Sequence, residues 1–180
     1  IGKVEVHGKP IELVDYDPVW PSAYKREAKK IRAALGERVL GLEHAGSTSV
    51  PGLAAKPIID IVLTVADSAD EDAYVPPLEA AGYELTIRER DWYEHRALNG
   101  TDPRVNLHVF SDGCPEIERM TAAAGAADAA LAEVEPLLFA TLDTPITEAD
   151  IRNELEYRMR LHGADDRSYE TIVASGPDHA

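Results

Sequence analysis

The chain has 180 residues with 44% hydrophobic side chains, enough for one compact domain with its own core and too few for two comfortable ones. It carries 18 Lys and Arg against 33 Asp and Glu, a formal charge of −15, so its field repels polyanions and argues against a nucleic-acid polymer as partner. A single cysteine, Cys114, excludes an internal disulfide and a thiolate-rich zinc site and fits a reducing, cytoplasmic setting.

No apolar run approaches the roughly 20 residues of a membrane span, so no membrane partner is expected. The opening IGKVEVHGKP lacks the apolar stretch of a signal peptide, and the closing ASGPDHA reads as a polar tail.

Residues 11–14 form a short apolar edge. In the following DYDPVWP, Asp17 is placed to cap a helix, with Pro18 and Pro21 in or beside its first turn. Trp20, Tyr24, Ala28, Ile31 and Leu35 then recur at helical spacing, with Lys25, Arg26, Lys29 and Lys30 on a solvated face. Residues 39–44 and 57–65 read as strands, the second so rich in β-branched residues that it is expected to be covered on both faces.

ADSADEDAY reads as an acidic surface loop, 75–81 as a short helix with two prolines in its first turn, and 83–88 as a third strand. Residues 92–98 and 105–110 follow as antiparallel strands joined through the turn-rich NGTDPR. Beyond Pro115 the composition turns to alanine and glutamate, and two helices are expected, the second opened by a Thr147 to Asp150 capping box. The sum is a single α+β domain over 1–180: a mixed central β-sheet flanked by helices, with a helical part from about 120 to 180.

Two features carry chemistry. The loop Gly46-Ser47-Thr48-Ser49-Val50-Pro51-Gly52 is rich in hydroxyls and glycine, which suits main-chain N–H groups to phosphate oxygens. It is not a Walker A loop, since Gly52 is followed by Leu53 and Lys56 comes too late. The strand after it holds Asp60 among Ile58, Ile59, Ile61, Val62 and Leu63, where a carboxylate is costly unless a metal, a cation or several donors pair with it.

On neighbouring strands, His44, Glu94, Arg96, Asn106 and His108 are candidates to meet it. His44 and His108 suit metal ligation or general acid/base work, and Arg96 a phosphate or carboxylate. Cys114 in SDGCPE lies at a helix start and is a weak nucleophile candidate, and His7, His95, His162 and His179 lack zinc-site spacing.

Gly-Ser followed about a dozen residues later by a strand aspartate resembles the signature of the nucleotidyltransferase superfamily. More narrowly, IELVDYDPVWP, EHAGSTSVPGLAAKPIIDI and VNLHVF together resemble the GrpB family, also called UPF0157, over residues 11 to 120. The resemblance implies a nucleotidyltransferase-like fold, a nucleoside triphosphate as ligand or substrate, Mg²⁺ at Asp60, and phosphate contacts from Gly46, Ser47, Thr48, Ser49, Lys56 and Arg96. With it, Asp60, His44 and His108 become the expected catalytic cluster. The family is sometimes fused to dephospho-coenzyme A kinase, which implies an association with coenzyme A biosynthesis.

The chain departs from the pattern in two places. Val62 stands where the superfamily has its second strand carboxylate, on the same strand face as Asp60, and two-metal phosphoryl transfer needs several carboxylates. The alanine-rich C-terminal third follows the family only loosely, at Arg160, His162, Asp166, Arg167 and Tyr169.

Three readings remain open. One is an enzyme that transfers a nucleotidyl or phosphoryl group to a small acceptor. The second is a non-catalytic binding or accessory module that has lost its second carboxylate. In the third, Asp60 is neutralised by Lys56 or Arg96 for stability alone. A carboxylate from Glu43 or Glu94 within reach of Asp60 favours the first.

Overall fold

The computed structural model describes residues 13–139 and 147–163. His7, His179, Asp166, Arg167, Tyr169, the first half of the expected 11–14 edge and the polar tail lie outside the described residues. Within them the order is α1 (Trp20–Leu35), β1 (Gly41–Ala45), β2 (Ile59–Val65), α2 (Glu71–Ala80), β3 (Tyr83–Glu89), β4 (His95–Thr101), β5 (Arg104–Ser111), α3 (Pro115–Phe139) and α4 (Glu148–Leu161). The expected α+β architecture is present.

The five strands form one sheet in the order β1-β2-β5-β4-β3. β2 and β5 run parallel at its centre, and every other pairing is antiparallel. Alternation along these strands divides the sheet into two faces.

On one face Ile59, Ile61, Leu63, Val65, Leu98, Val105, Leu107 and Val109 form the main core with Trp20, Ala23, Ile31 and Leu35 of α1 and Tyr74, Val75 and Leu78 of α2. On the other, Ala45, Val62 and Phe110 make a smaller cluster with Ile117 and Met120 of α3. Asp60 therefore sits on a strand covered on both sides, as its β-branched neighbours imply.

Helix α1 begins as its sequence suggests. The Asp17 carboxylate accepts from the Val19 N–H (2.8 Å), and Pro21 lies in the first turn. The apolar stripe admits one acid: Glu27 is buried and is satisfied by the Tyr83 hydroxyl and Lys30. Residue periodicity alone missed it.

Two expected boundaries move. Helix α2 starts at Glu71, inside the stretch read as an acidic loop, so Pro76 and Pro77 lie in the helix interior. Interior prolines forfeit hydrogen bonds at a cost of about 3 kcal/mol. Burial of Tyr74, Val75 and Leu78 and a double ion pair from Glu71 to Arg88 and Arg96 hold the helix nonetheless. Strand β4 begins at His95 rather than 92, because the chain turns tightly at Tyr93 and Glu94 (φ 51° and 50°) and folds Trp92 back against His95 and Phe110.

The capping box at Thr147 is formed: its side chain accepts from the Asp150 N–H, and the Asp150 carboxylate accepts from the Thr147 N–H. Helix α4 packs on α3, with Arg158 joined to Glu133 and Glu154. No helix among the described residues is long and apolar enough to cross a membrane.

Candidate functional site

Strand register decides which predicted side chains meet. Ala45, the last residue of β1, pairs with Asp60, and Asp60 pairs in turn with Asn106 of β5, which pairs with Asn99 of β4. Asp60, Asn106 and Asn99 thus form one polar row across the face that carries α3. The chain leaves β1 at Gly46 and passes through the short 3-10 turn Ser47–Ser49.

Gly46 has φ 67° and ψ −177°, a conformation essentially reserved for glycine. A side chain there would meet Asp60, with an added Cβ 3.1 Å from both Cβ and Cγ of the aspartate. The loop backbone and the carboxylate are in direct apposition.

Asp60 is partly buried, and the Asn106 side-chain N–H donates to its Oδ1 (2.8 Å). Burial pushes the carboxyl above its ordinary range, opposed by the Asn106 hydrogen bond and the charge of Lys56. Lys56 is exposed, and its ammonium field reaches the carboxylate. The loop is held by its own hydroxyls: Ser49 donates to the Gly46 carbonyl (2.7 Å), and buried Thr48 donates to the Ile58 carbonyl (3.1 Å). Thr48 is a brace, whereas Ser47 is partly exposed on the same turn.

Two predicted partners fall elsewhere. His44 pairs with Ile61 and so points to the opposite face, where its ring stacks on Tyr24 of α1 (centroids 4.8 Å apart). Because the Thr48 hydroxyl gives its hydrogen to Ile58, the His44 Nε2–H donates to Thr48 Oγ1 (3.1 Å). Burial lowers the His44 pKa.

Arg96 lies on that opposite face as well, beside Val109 in register and three residues along β5 from Asn106. Its guanidinium, 3% exposed, is bound by Glu71, Glu94 and the carbonyls of Glu94 and His95. It is a carboxylate partner within the core, and the expectation that it meets phosphate beside Asp60 is corrected by the pairing register. Glu94 is held with it.

His108 is on the Asp60 face, two residues beyond Asn106 and opposite Val62. Burial and neighbouring His95 push its pKa down to about 4, against a smaller upward pull from Glu89. Among the described residues, no group of three or more His, Cys, Asp and Glu is arranged to hold a metal. Cys114 is partly buried against the smaller core cluster.

A cleft of about 320 Å³ opens at the end of the polar row, lined by Asn99, Thr101, Arg104 and Asn106 among others. Asn99 and Arg104 were not legible as site residues, since both lie in or beside NGTDPR, a segment whose composition signals a turn. A larger cleft of about 390 Å³ lies by α2 between Asp70, Asp72, Arg90 and the Glu71–Arg96 pair.

Residues 10–125 match the family model described as GrpB protein, and residues 118–180 match the model described as Metallopeptidase family M24. A UPF0157 protein of Halalkalibacterium halodurans is 59% identical over 120 residues, covering 67% of this chain and 62% of that protein. A dephospho-CoA kinase of Mycolicibacterium paratuberculosis is 46% identical over 133 residues, covering 59% of this chain and 32% of the kinase. The crystal structure of the conserved protein GrpB from Enterococcus faecalis superposes with a TM-score of 0.59 at 27% identity, covering 84% of this chain and 99% of that one.

The chain therefore spans only about three fifths of the H. halodurans relative, 62% of its length. The M24 match begins within α3 and overlaps the last residues of the GrpB match. The GrpB match runs over more than half of the chain and takes in the whole sheet, the Gly46 loop and the Asp60 row: the chain belongs to the GrpB family.

Proposed function

We propose that the Asp60 face binds a phosphorylated small molecule, with a nucleotide as the leading candidate, and transfers its nucleotidyl or phosphoryl group to a small acceptor. The observation that carries this reading is the apposition of the Gly46 backbone and the Asp60 carboxylate, with the Lys56 charge beside them. A carboxylate held partly out of water against a small-residue turn suits a cation shared with ligand phosphate. Asn99, Asn106 and Arg104 at the adjoining cleft add amide and guanidinium donors.

The residues fit one Mg²⁺ and do not fit two. Asp60 supplies one carboxylate, and Mg²⁺ commonly takes one or two carboxylates with substrate phosphates and water. Val62 and Asn106 beside it are neutral, and the one acid that the register brings to this face next to them, Glu43 opposite Val62, is exposed. Asp60 would hold the ion, which when bound neutralises phosphate charge, while the Asn106 side-chain N–H steadies the carboxylate. The chain's own residues then orient the ligand: the Ser47 to Ser49 turn and Lys56 at the phosphates, and Arg104 in the cleft.

A second reading is favoured by the same neutral pair, Val62 and Asn106: a binding or accessory module that holds the ligand without transfer. The relatives named dephospho-CoA kinase make coenzyme A precursors sensible acceptors to test. The net charge of −15 favours such small partners over a nucleic-acid polymer, and the lone cysteine suits the cytoplasm.

Calorimetric titration of ATP, GTP, CTP and coenzyme A precursors, with and without Mg²⁺, on wild type and Asp60→Asn tests both readings. Binding that needs Mg²⁺ and is lost in Asp60→Asn supports the first. Binding indifferent to Mg²⁺ supports the second, and binding of none of them overturns both.

A further inference from the structure

Glu89, His95 and His108 form a hydrogen-bonded chain on the same sheet face as Asp60. His95 pairs with Glu89 across β3 and β4, and Ala97 pairs with His108 across β4 and β5, which sets His95 diagonally beside His108. Nδ1 of His95 lies 2.7 Å from Glu89 Oε2, and its Nε2 lies 3.0 Å from His108 Nδ1. The His95 ring is buried and fixed by its neighbours, with centroids 4.8 Å from Phe110, 5.1 Å from Trp92 and 5.2 Å from His108.

The direction of the chain follows from donor and acceptor chemistry. A carboxylate only accepts, so His95 Nδ1 carries a proton toward Glu89. With His95 neutral, its Nε2 is bare and accepts from His108 Nδ1–H. His108 then carries its lone pair on Nε2. Among the described residues every fully buried side-chain N or O atom has a hydrogen-bond partner; His108 Nε2 makes none, so it reaches solvent.

Asp60 pairs with Asn106 and Val62 with His108, so strand spacing and rise put the Asp60 and His108 side-chain roots about 8 Å apart. That gap admits a small ligand group.

We propose that Glu89 and His95 are positioning residues that hold His108 with its proton on Nδ1, leaving Nε2 as the proton acceptor for a substrate hydroxyl at the Asp60 site. The inference rests on the reading of Asp60 as a ligand-binding residue. In the step, the hydroxyl O–H bond breaks and its proton passes to Nε2. The electron pair stays on oxygen, which forms a bond to phosphorus as the bond to the leaving oxygen breaks and that oxygen departs with its pair. Glu89, through His95, offsets part of the cost of the buried imidazolium formed.

The titratable groups around His108 are Glu43 on β1, in its row across Val62, Asp60 on β2, Glu89 on β3 and His95 on β4. Helix α3, which packs against neighbouring Phe110, brings the Glu116–Arg119 ion pair, with Cys114 just before it.

Long-range ¹⁵N–¹H correlation spectra of the histidine rings at pH 7 test this in wild type, Glu89→Ala and Glu89→Gln, followed by addition of ATP with Mg²⁺. Glu89 is half exposed, so these variants are expected to fold. The wild-type His108 should show protonated Nδ1 and bare Nε2. Glu89→Ala should move a measurable fraction to the Nε2–H tautomer, and Glu89→Gln, whose carbonyl can still accept from His95, should move less. ATP with Mg²⁺ should shift the Nε2 resonance.

A wild-type His108 protonated on Nε2, or a tautomer untouched by Glu89→Ala, overturns the positioning chain. The expected tautomers with no response to ATP and Mg²⁺ instead overturn the ligand reading of Asp60, and the acceptor role with it.

Discussion

The backbone of Gly46 lies directly against the carboxylate of Asp60, close enough that an added Cβ would stand 3.1 Å from the aspartate Cβ and Cγ and overlap its Oδ2. Loop and acid are thus one structural unit. Gly46→Ala should destabilise the fold by about 1–3 kcal/mol from backbone strain alone, with a further steric penalty. Urea denaturation of Gly46→Ala, Asp60→Ala and the double variant separates the two. The double variant should recover the part due to the carboxyl group and keep the Cβ contact and the backbone part, and strict additivity would show that the apposition has no energetic weight.

Asp60→Asn should raise stability at neutral pH while abolishing Mg²⁺-dependent nucleotide binding. A carboxyl whose folded pKa is raised binds its proton more tightly in the native state. Stability therefore falls as pH rises from the unfolded pKa through the folded one, and above it the group is a net cost. Thermal melts from pH 3 to 8 should show the wild type losing this increment and Asp60→Asn flat by comparison; a variant less stable at pH 7 would contradict the assignment.

Glu71 provides the opposite case. Hydrogen bonding and ion pairing to Arg88 and Arg96, working against burial, bring its pKa down to about 2. A depressed folded pKa contributes stability that is present above the unfolded value and lost as pH falls toward about 2. Glu71→Gln also leaves the Arg96 guanidinium short of a partner, and a loss of about 3 kcal/mol is expected by denaturant titration.

Arg96→Met should lower stability without changing nucleotide affinity, because its guanidinium lies on the sheet face opposite Asp60. Arg104→Met should do the reverse, leaving the melting temperature nearly unchanged and weakening nucleotide binding several-fold. Calorimetry on the two variants side by side distinguishes the faces.

Thr147→Ala removes one half of a formed capping box. The expected loss is about 1 kcal/mol, confined to α4. Amide hydrogen exchange should speed up in the first turns of that helix and leave β2 and β5 unchanged.

Residue order made Asp60 and its loop visible because an acid among aliphatics and a glycine-rich turn are each costly without a reason. Which face each strand residue joins was not visible. Alternation sets parity within a strand, but only register tells which parity of one strand meets which of the next. His44 at Ile61 and Arg96 at Val109 fall on the core face for that reason.

The buried Glu27 needed a partner 56 residues away, Tyr83, which no local pattern reveals. His95 looked like a scattered histidine because its partners, Glu89 and His108, converge only through two hairpin registers. Conversely the Thr147 cap was fully legible, since both of its hydrogen bonds go to one residue three positions away, Asp150.

The two family matches overlap at residues 118–125, inside the continuous helix α3. A helix passes on torsion, unlike a slack tether: each residue advances it by about 1.5 Å and turns it by about 100°. Adding or removing one residue just beyond position 125 would therefore turn the rest of α3, with Glu133 and the Arg158 joined to it, by more than a quarter turn relative to the sheet. The seam between the two sequence types is phase-locked, and its length is tolerated only in whole-turn steps.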